Sequence, residues 1–266
     1  MKKYFIIFLS IECLCSIGCN TEEQIIANDH FYSKKKLEKL IEKQEEISSL
    51  IINNYKDTIF PNEFILKFKK LNSLIIDGGF GQAYPLHIDN DKLSSLKDLH
   101  SLSIISFLLD SFPTSFSQFD LLTHLQLSED YLKNIPPDIS KFSKLNYLDV
   151  WSNYLTGLPE SFKELSQLQI FSINFNQLSA IPSVLKDLPN IQEITLQDSR
   201  NIASNGAVGN RIDYENNQLL IEILSKKSVK KVTFEVKDSA TKKRIKKYIR
   251  EKALLKKANI LVGQPL

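Results

Sequence analysis

A serine, a histidine and a carboxylate stand on neighbouring segments of the chain, and together they could form a hydrolytic triad. Ser101 or Ser103 supplies a possible nucleophile. His124 supplies a possible base, and Asp149 a group that could orient it. The segments that carry these residues are predicted to be adjacent strands of one open sheet face, without oxyanion donors or a strained turn at the serine. We therefore expect no catalysis at these residues.

Metal and thiol chemistry is not expected in the folded body either. The chain has 3 cysteines, and all of them lie within its first nineteen residues (Cys13, Cys15 and Cys19). This placement excludes a disulfide framework, a zinc cluster or a catalytic thiol farther along the chain. The other histidines lack carboxylate partners at metal-ligand spacing; they are His30, His87 and His100. We expect a protein that is not an enzyme and that needs no cofactor.

The N-terminus has the pattern of a secretory signal peptide. Lys2 and Lys3 precede an apolar run over 4–11, which is too short to span a bilayer, and the small residue Gly18 stands just before Cys19. This end resembles the lipobox of bacterial lipoproteins of the Bacteroidota-like type, although a serine stands where that family usually has leucine. The alternatives are an ordinary signal peptide with an incidental cysteine, or an uncleaved core helix.

The lipoprotein resemblance implies how the N-terminal region is processed. Residues 1–18 would be the removed signal peptide, Cys19 would be acylated, and 19–32 would form a tether. The protein would then be secreted across the inner membrane and anchored by lipid to the outer membrane. Glu22 and Glu23 are similar to the surface-export signals of the same bacterial group, so the cell surface is a further expectation. Alternatively, these two residues merely begin a solvated linker.

A segment of 23 residues recurs through the middle of the chain. Its copies start at Leu99, Leu122, Leu145, Leu168 and Ile191, and a proline repeats in phase with them at Pro113, Pro136, Pro159 and Pro182. The clearest copy has its repeated residues at Leu145, Leu148, Val150, Asn153, Leu155, Leu158, Pro159, Phe162 and Leu165. An earlier copy begins at Leu71, with a five-residue insertion before Leu99. The alternating start of each copy is typical of a short strand, and the proline sets φ for the segment behind it.

This signature resembles the leucine-rich repeat (LRR) over 59–202. The resemblance implies an α/β solenoid of six to seven coils, with a curved parallel sheet of about six to eight short strands, because a single coil cannot bury its apolar side alone. The turn position of each copy needs a side chain that bonds to backbone groups. Asn153 and Asn176 fit this need, Asp130 is a chemical substitute, Ser199 a partial one, and Phe107 cannot make the bond.

The regions on either side of the repeats are predicted to be caps. Residues 33–58 are assigned to an N-terminal capping helix, because 34–53 carries apolar residues at helical spacing. Residues 203–266 form a C-terminal cap, with a helix around 214–224, a strand around 229–236 and a helix that begins at Ser239.

The positive charge of the chain is concentrated in the C-terminal cap. The net charge of the whole chain is only +3, yet 226–257 holds 14 Lys/Arg against 3 Asp/Glu. We expect this basic helix to be solvated; alternatively it contacts anionic lipid or an acidic partner.

One face of the predicted sheet is the candidate binding site. Neighbouring strands lie about 4.8 Å apart, so positions three, five, seven and eight of successive copies form rows on the concave face. The candidate ligand-binding residues on these rows are His124, Gln126, Tyr147, Asp149, Trp151, Ile170, Ser172, Asn174, Phe175, Thr195 and Gln197. We expect Trp151 to point at solvent with Tyr147 and Phe175 nearby, since exposed aromatics in a polar rim are typical of recognition sites. Alternatively, Trp151 packs over a neighbouring strand.

These observations predict a non-catalytic binding protein that is anchored to the bacterial envelope and recognises a protein, peptide or glycan. The alternative is a structural scaffold of the envelope that acts through the basic C-terminal helix. Nucleic acid is not expected as a partner, because a secreted protein does not routinely meet it. The fold alone does not choose between these functions.

Overall fold

The computed structural model describes residues 25–27, 41–42, 44–53, 62–79, 83–87, 96–109, 111–197, 209–215, 217–235, 239–251 and 259–263. The predicted signal peptide and the predicted lipidated Cys19 lie outside these residues. The strands of the described chain are β1 (Ile25–Ala27), β2 (Ser49–Ile52), β3 (Ser73–Asp77), β4 (Tyr84–Pro85), β5 (Ser101–Ile105), β6 (Phe107–Leu108), β7 (His124–Ser128), β8 (Tyr147–Asp149), β9 (Ile170–Ser172), β10 (Glu193–Leu196), β11 (Lys231–Glu235) and β12 (Asn259–Gly263). The α-helices are α1 (Asn62–Ile65), α2 (Gln218–Ser225) and α3 (Ser239–Glu251).

Ten of these strands form one sheet in the order β1-β2-β3-β5-β7-β8-β9-β10-β11-β12, and β4 and β6 form a separate pair. All pairings in the large sheet are parallel. Because each strand lies beside the strand of the preceding coil, the chain winds as a solenoid. The predicted LRR solenoid is therefore confirmed, and its sheet extends beyond the predicted strands because both capping regions add strands to it.

The convex side of the solenoid consists of short 3-10 helices in phase with the prolines. They span Thr114–Gln118, Pro137–Lys141, Glu160–Glu164 and Ser183–Asp187. Each begins directly after a proline whose φ lies between −61° and −77°, which is the range that the pyrrolidine ring imposes. The apolar residue inside each 3-10 helix, such as Phe116 or Phe162, is fully buried. Proline and apolar residue together fix where each coil turns back toward the sheet.

A ladder of side-chain amides and one carboxyl group joins successive coils at the turn position. We call Asp130, Asn153, Asn176 and Asn210 the asparagine ladder. The Oδ1 atom of each accepts a backbone N–H from the preceding coil, at distances between 3.0 and 3.1 Å. The amide nitrogens of the three asparagines donate to backbone carbonyls at 2.7–3.3 Å. The ladder therefore satisfies backbone groups that the turn leaves unpaired in the interior.

The last member of the ladder lies farther along the chain than the 23-residue period predicts. The ladder bond from Leu155 to Asn176 spans 21 residues, whereas the bond from Leu178 to Asn210 spans 32. Eleven extra residues therefore stand before the turn, and Asn210 takes the role that was predicted for Ser199, which lies outside the described residues. Gly209, with φ 78°, precedes Asn210 in the left-handed conformation that this position adopts in other coils.

The N-terminal cap also differs from its prediction. Residues 41–42 are helical, but the predicted helix is wrong for Ser49–Ile52, which forms β2 and pairs with β3. The predicted tether likewise contains a strand, β1, which pairs with β2. The apolar residues Leu50, Ile51 and Ile52 are all buried by these pairings. The C-terminal cap contains α2, β11 and α3 within the segments predicted for them, and β12 is an unpredicted addition.

Candidate functional site

The strand register places the candidate residues in the rows that the repeat predicts. In the third row His124 faces Tyr147, and Tyr147 faces Ile170. In the fifth row the partners follow one another through Gln126, Asp149, Ser172 and Thr195. The other four candidates follow the strands directly: Trp151, Asn174, Phe175 and Gln197. We call the surface formed by positions three, five, seven and eight the concave face.

The aromatic residues of the concave face are less exposed than predicted. Trp151 is partly buried, and its ring packs edge-to-face on Phe175, with ring centroids 5.4 Å apart. Phe175 is only 6% exposed, and Tyr147 is 7% exposed and stacks on His124 at 5.7 Å. Trp151, which was expected to point at solvent, packs against the neighbouring coil as in the alternative interpretation, but it keeps part of its surface in solvent. Tyr147 and Phe175 are buried, because rings on adjacent coils are close enough to cover one another.

Asp149 lies between these two ring pairs and is the centre of a hydrogen-bond network. Its Oδ1 accepts the backbone N–H of Trp151 at 3.0 Å, and its Oδ2 accepts from Gln126 Nε2 at 3.4 Å. The side chains of Ser172 and Tyr147 also bond to it. Burial raises the pKa of Asp149 to about 6, against the lowering effect of these hydrogen bonds. The concave face thus holds a carboxyl group that titrates just below neutral pH.

A second aromatic pair, beside the concave face, was not predicted from the sequence. Tyr131 and Tyr154 follow the ladder residues of adjacent coils, and their rings stack with centroids 5.6 Å apart. Burial raises the pKa of Tyr131, and the neighbouring Tyr154 and the carboxylate of Glu129 raise it further. Glu129 is itself only 8% exposed. The two tyrosines stand 23 residues apart, so their shared position after the ladder was the signal that could have revealed them.

The triad residues do not form a catalytic arrangement. His124 Nδ1 is bonded to Thr123 Oγ1 at 2.8 Å rather than to Asp149. His124 Nε2 and Ser103 Oγ are buried, and within the described chain neither has a hydrogen-bond partner. Burial lowers the pKa of His124, and the nearby His100 lowers it further. In the residues that the structure covers, no cluster of three or more His, Cys, Asp or Glu could hold a metal ion.

The basic C-terminal helix α3 is amphipathic. Ile245 and Ile249 are buried, and Arg244 forms an ion pair with Glu215 at 2.5 Å. The other cations of the helix stand on its outer side: Lys242, Lys243, Lys246, Lys247 and Arg250. Among the described helices, none has the length and apolar character to cross a membrane. The charge of α3 thus lies on a surface that the core does not use.

Comparison with known proteins identifies the repeat and the fold. The pattern of the leucine-rich-repeat family matches residues 143–200. Comparison with curated protein sequences finds no match. Solved structures with the same fold include a leucine-rich-repeat protein of Leptospira interrogans, with a TM-score of 0.58 and 17% identity over 85% of this chain and 57% of that one.

Two listerial structures are also similar. The internalin-like protein lmo2027 of Listeria monocytogenes has a TM-score of 0.54 and 19% identity, covering 73% of this chain and 53% of its own. The internalin InlF of the same species has a TM-score of 0.52 and 16% identity, covering 87% and 73%. The chain thus spans little more than half the length of the Leptospira protein and of lmo2027. At these identities the likeness shows the fold, an LRR solenoid shared with bacterial proteins.

Proposed function

We propose that this LRR protein is a non-catalytic binding protein that recognises a protein or peptide on the concave face. The observation that carries this proposal is the register of β7 to β10, which brings the candidate side chains of four coils onto one continuous surface. Extended concave surfaces of this kind are what repeat solenoids use for recognition. The surface mixes partly exposed aromatic and apolar groups with polar ones, which is the composition of a recognition site.

A pair of matched arginine substitutions tests this proposal. Thr195→Arg adds a long side chain to the fifth row of the concave face, where Thr195 is partly exposed. Thr156→Arg makes the same change at an exposed position outside the four rows and serves as the control. Proteins captured from envelope and host-derived extracts by wild type and by Thr156→Arg, but lost with Thr195→Arg, would support concave-face binding. Equal capture by all three proteins would contradict it, and capture of a glycan instead would change the ligand class.

The proposal includes an anchor to the bacterial envelope through Cys19. Its support is the basic start, the apolar run and the lipobox-like end of the first nineteen residues. Metabolic labelling with a palmitate analogue is the test. Wild type should carry the label and partition with outer membranes, and Cys19→Ser should carry none, whereas Cys13→Ser is the matched control and should behave as wild type. Label in Cys19→Ser would contradict the proposal.

The exposed cations of α3 favour a second candidate, a scaffold of the envelope that contacts anionic lipid or an acidic partner. Lys243 and Lys246 are exposed, and neither takes part in an ion pair among the described residues. Charge reversal of both lysines should abolish sedimentation with phosphatidylglycerol vesicles if this function holds. Reversal of Lys133 and Lys144, which are exposed elsewhere, is the control. Equal sedimentation of both variants would exclude α3 as a lipid-binding element.

A further inference from the structure

The concave face carries carboxylates but no lysine or arginine over most of its length. From β3 to β9 the charged side chains at its four positions are Asp77, Glu129 and Asp149. The cation Lys231 enters the third row only at β11, and there it is paired with Glu193 at 3.2 Å. The charged groups of the central coils at these positions are therefore all carboxylates, of which Glu129 and Asp149 are only 8% and 6% exposed, and their charge is complementary to that of a cationic ligand.

Asp149 stands where the aromatic groups of this surface meet. The Trp151–Phe175 pair lies on one side of it along the chain, and the His124–Tyr147 stack on the other. A planar cation that pairs with the carboxylate and lies over the face of one of these rings would also gain a cation–π attraction. The guanidinium of arginine is the side-chain group that combines bidentate carboxylate pairing with stacking on aromatic rings.

Gln126 supplies an independent indication, because an acceptor atom beside the Asp149 network lacks a hydrogen-bond donor. It is only 3% exposed, and among the described residues its side chain makes one long hydrogen bond, from Nε2 to Asp149 Oδ2 at 3.4 Å. Its Oε1 atom is buried and, within the described chain, has no partner. Ser128 Oγ on the same strand is also buried and unpartnered. A guanidinium, which carries five N–H donors and no acceptor, matches such a set of acceptors.

We propose that the concave face recognises an arginine side chain of its protein partner. Asp149 forms an ion pair with the guanidinium, and the ring of Trp151 packs against the guanidinium plane. This inference rests on the proposed function, because it names the chemistry of the ligand at the same face. In the complex Gln126 turns its amide so that Oε1 accepts an N–H of the guanidinium. Asp149 is then the residue that determines specificity for a cationic partner.

The single tryptophan of the chain makes a direct test possible. The indole N–H signal of ¹⁵N-labelled protein belongs to Trp151 alone, so it reports binding at this site. Titration with L-argininamide should shift this signal in a saturable way. L-citrullinamide has nearly the same shape and the same α-amino group, but its ureido side chain carries no charge, and it should bind at least about tenfold more weakly. Equal shifts with both compounds, or no shift with either, would overturn the proposal without requiring any variant to fold.

Two variants test whether Asp149 is the residue that binds the guanidinium. Asp149→Asn retains an oxygen that can accept the N–H of Trp151, and it should lose roughly tenfold or more in affinity for argininamide. Asp120→Asn removes an exposed carboxylate outside the rows and should bind as wild type does. Unchanged affinity in Asp149→Asn would overturn the assignment. If argininamide fails while Thr195→Arg still blocks partner capture, the arginine proposal is refuted and concave-face binding stands.

Discussion

Replacement of Asp130 by asparagine is expected to stabilise the protein at neutral pH. Asp130 is fully buried at its ladder position; Oδ1 accepts the N–H of Phe107 at 3.0 Å, whereas Oδ2 has no partner among the described atoms. In the next two coils, the amide nitrogens of Asn153 and Asn176 donate to carbonyls 26 residues earlier, at 2.7 and 2.9 Å. The repeat places the carbonyl of Ile104 at the equivalent point, where an asparagine always supplies a donor and a carboxyl group does so only while it keeps its proton.

The size of the expected stabilisation follows from the free-energy cost of burying Asp130 Oδ2 without a hydrogen-bond partner. A buried polar group without its hydrogen bond costs about 1–3 kcal/mol. Asp130→Asn should therefore raise the free energy of unfolding by about 1–3 kcal/mol at pH 7.5, and Tm by roughly 2–12 °C for a chain of this size. The gain should come from a new bond between the amide nitrogen and the Ile104 carbonyl.

The gain should depend on pH. Burial raises the pKa of Asp130 well above its usual value, and Glu129 and Asp77 raise it further. The folded protein therefore keeps this proton at pH values where the unfolded chain has lost it. Linkage then requires the stability of wild type to fall as pH rises from about 4 through the folded-state pKa. Near pH 4 the neutral carboxylic acid can donate as the amide does, so the advantage of Asp130→Asn should be small there.

Thermal unfolding followed by circular dichroism at pH 4.5 and 7.5 measures both effects. The reciprocal change Asn153→Asp should lose a similar free energy at pH 7.5 and recover much of it at pH 4.5. Asp120→Asn, an exposed carboxylate, is the control and should differ little from wild type at either pH. Asp149 also titrates with a raised pKa, but it is common to these variants and cancels in the differences. A loss of stability in Asp130→Asn at pH 7.5, or an equal gain at both pH values, would refute the reasoning.

Three further predictions concern Gly78 at the end of β3, the carboxylate of Asp149 and the cysteine Cys19. Gly78→Ala should destabilise the protein by about 1–3 kcal/mol in chemical denaturation, because the new Cβ would lie 2.4 Å from the backbone oxygen of Ser106; Gly157→Ala, with nothing within 4 Å, should change little. Affinity for argininamide should fall roughly tenfold between pH 7 and pH 5, because the pKa of Asp149 is about 6 and binding needs its ionised form; a flat pH profile would count against that carboxylate. Cys19→Ser should shift the protein from the membrane fraction to the soluble one, as fractionation and immunoblotting can show.

The rows of the concave face were predictable because they depend only on a constant period and on strand alternation. A spacing of 23 residues places His124 beside Tyr147 and Gln126 beside Asp149, and the observed register agrees. The spacing of apolar residues was insufficient to predict that the segment of β2 is a strand. Leu50 and Ile51 satisfy a helical pattern together with Ile47, yet they lie in a buried strand between β1 and β3. Pairing with β3 decides that segment, and a local pattern does not contain this information.

The exposure of side chains was harder to predict than their position. Trp151 lies two residues after β8, and its exposure depends on the ring of Phe175 in the next coil. Phe175 has φ 53°, a conformation uncommon for an aromatic residue, and the period alone does not reveal where its ring lies. Asn210 was missed for a different reason, because eleven extra residues break the phase in front of it. The Gly209-Asn210 pair followed by Ile212 was the available signal.

The chain between Gln197 and Gly209, just before the ladder residue Asn210, is a suitable site for insertions in protein engineering. Asn210 Nδ2 still bonds to the carbonyl of Ile173 at 2.9 Å, and β11 still pairs with β10, although the chain between the coils is longer. The solenoid thus tolerates a change of length here without losing its backbone connections. A fluorescent label or a grafted epitope inserted between Gln197 and Gly209 is therefore expected to leave the ladder bonds of Asn210 and the pairing of β10 with β11 in place.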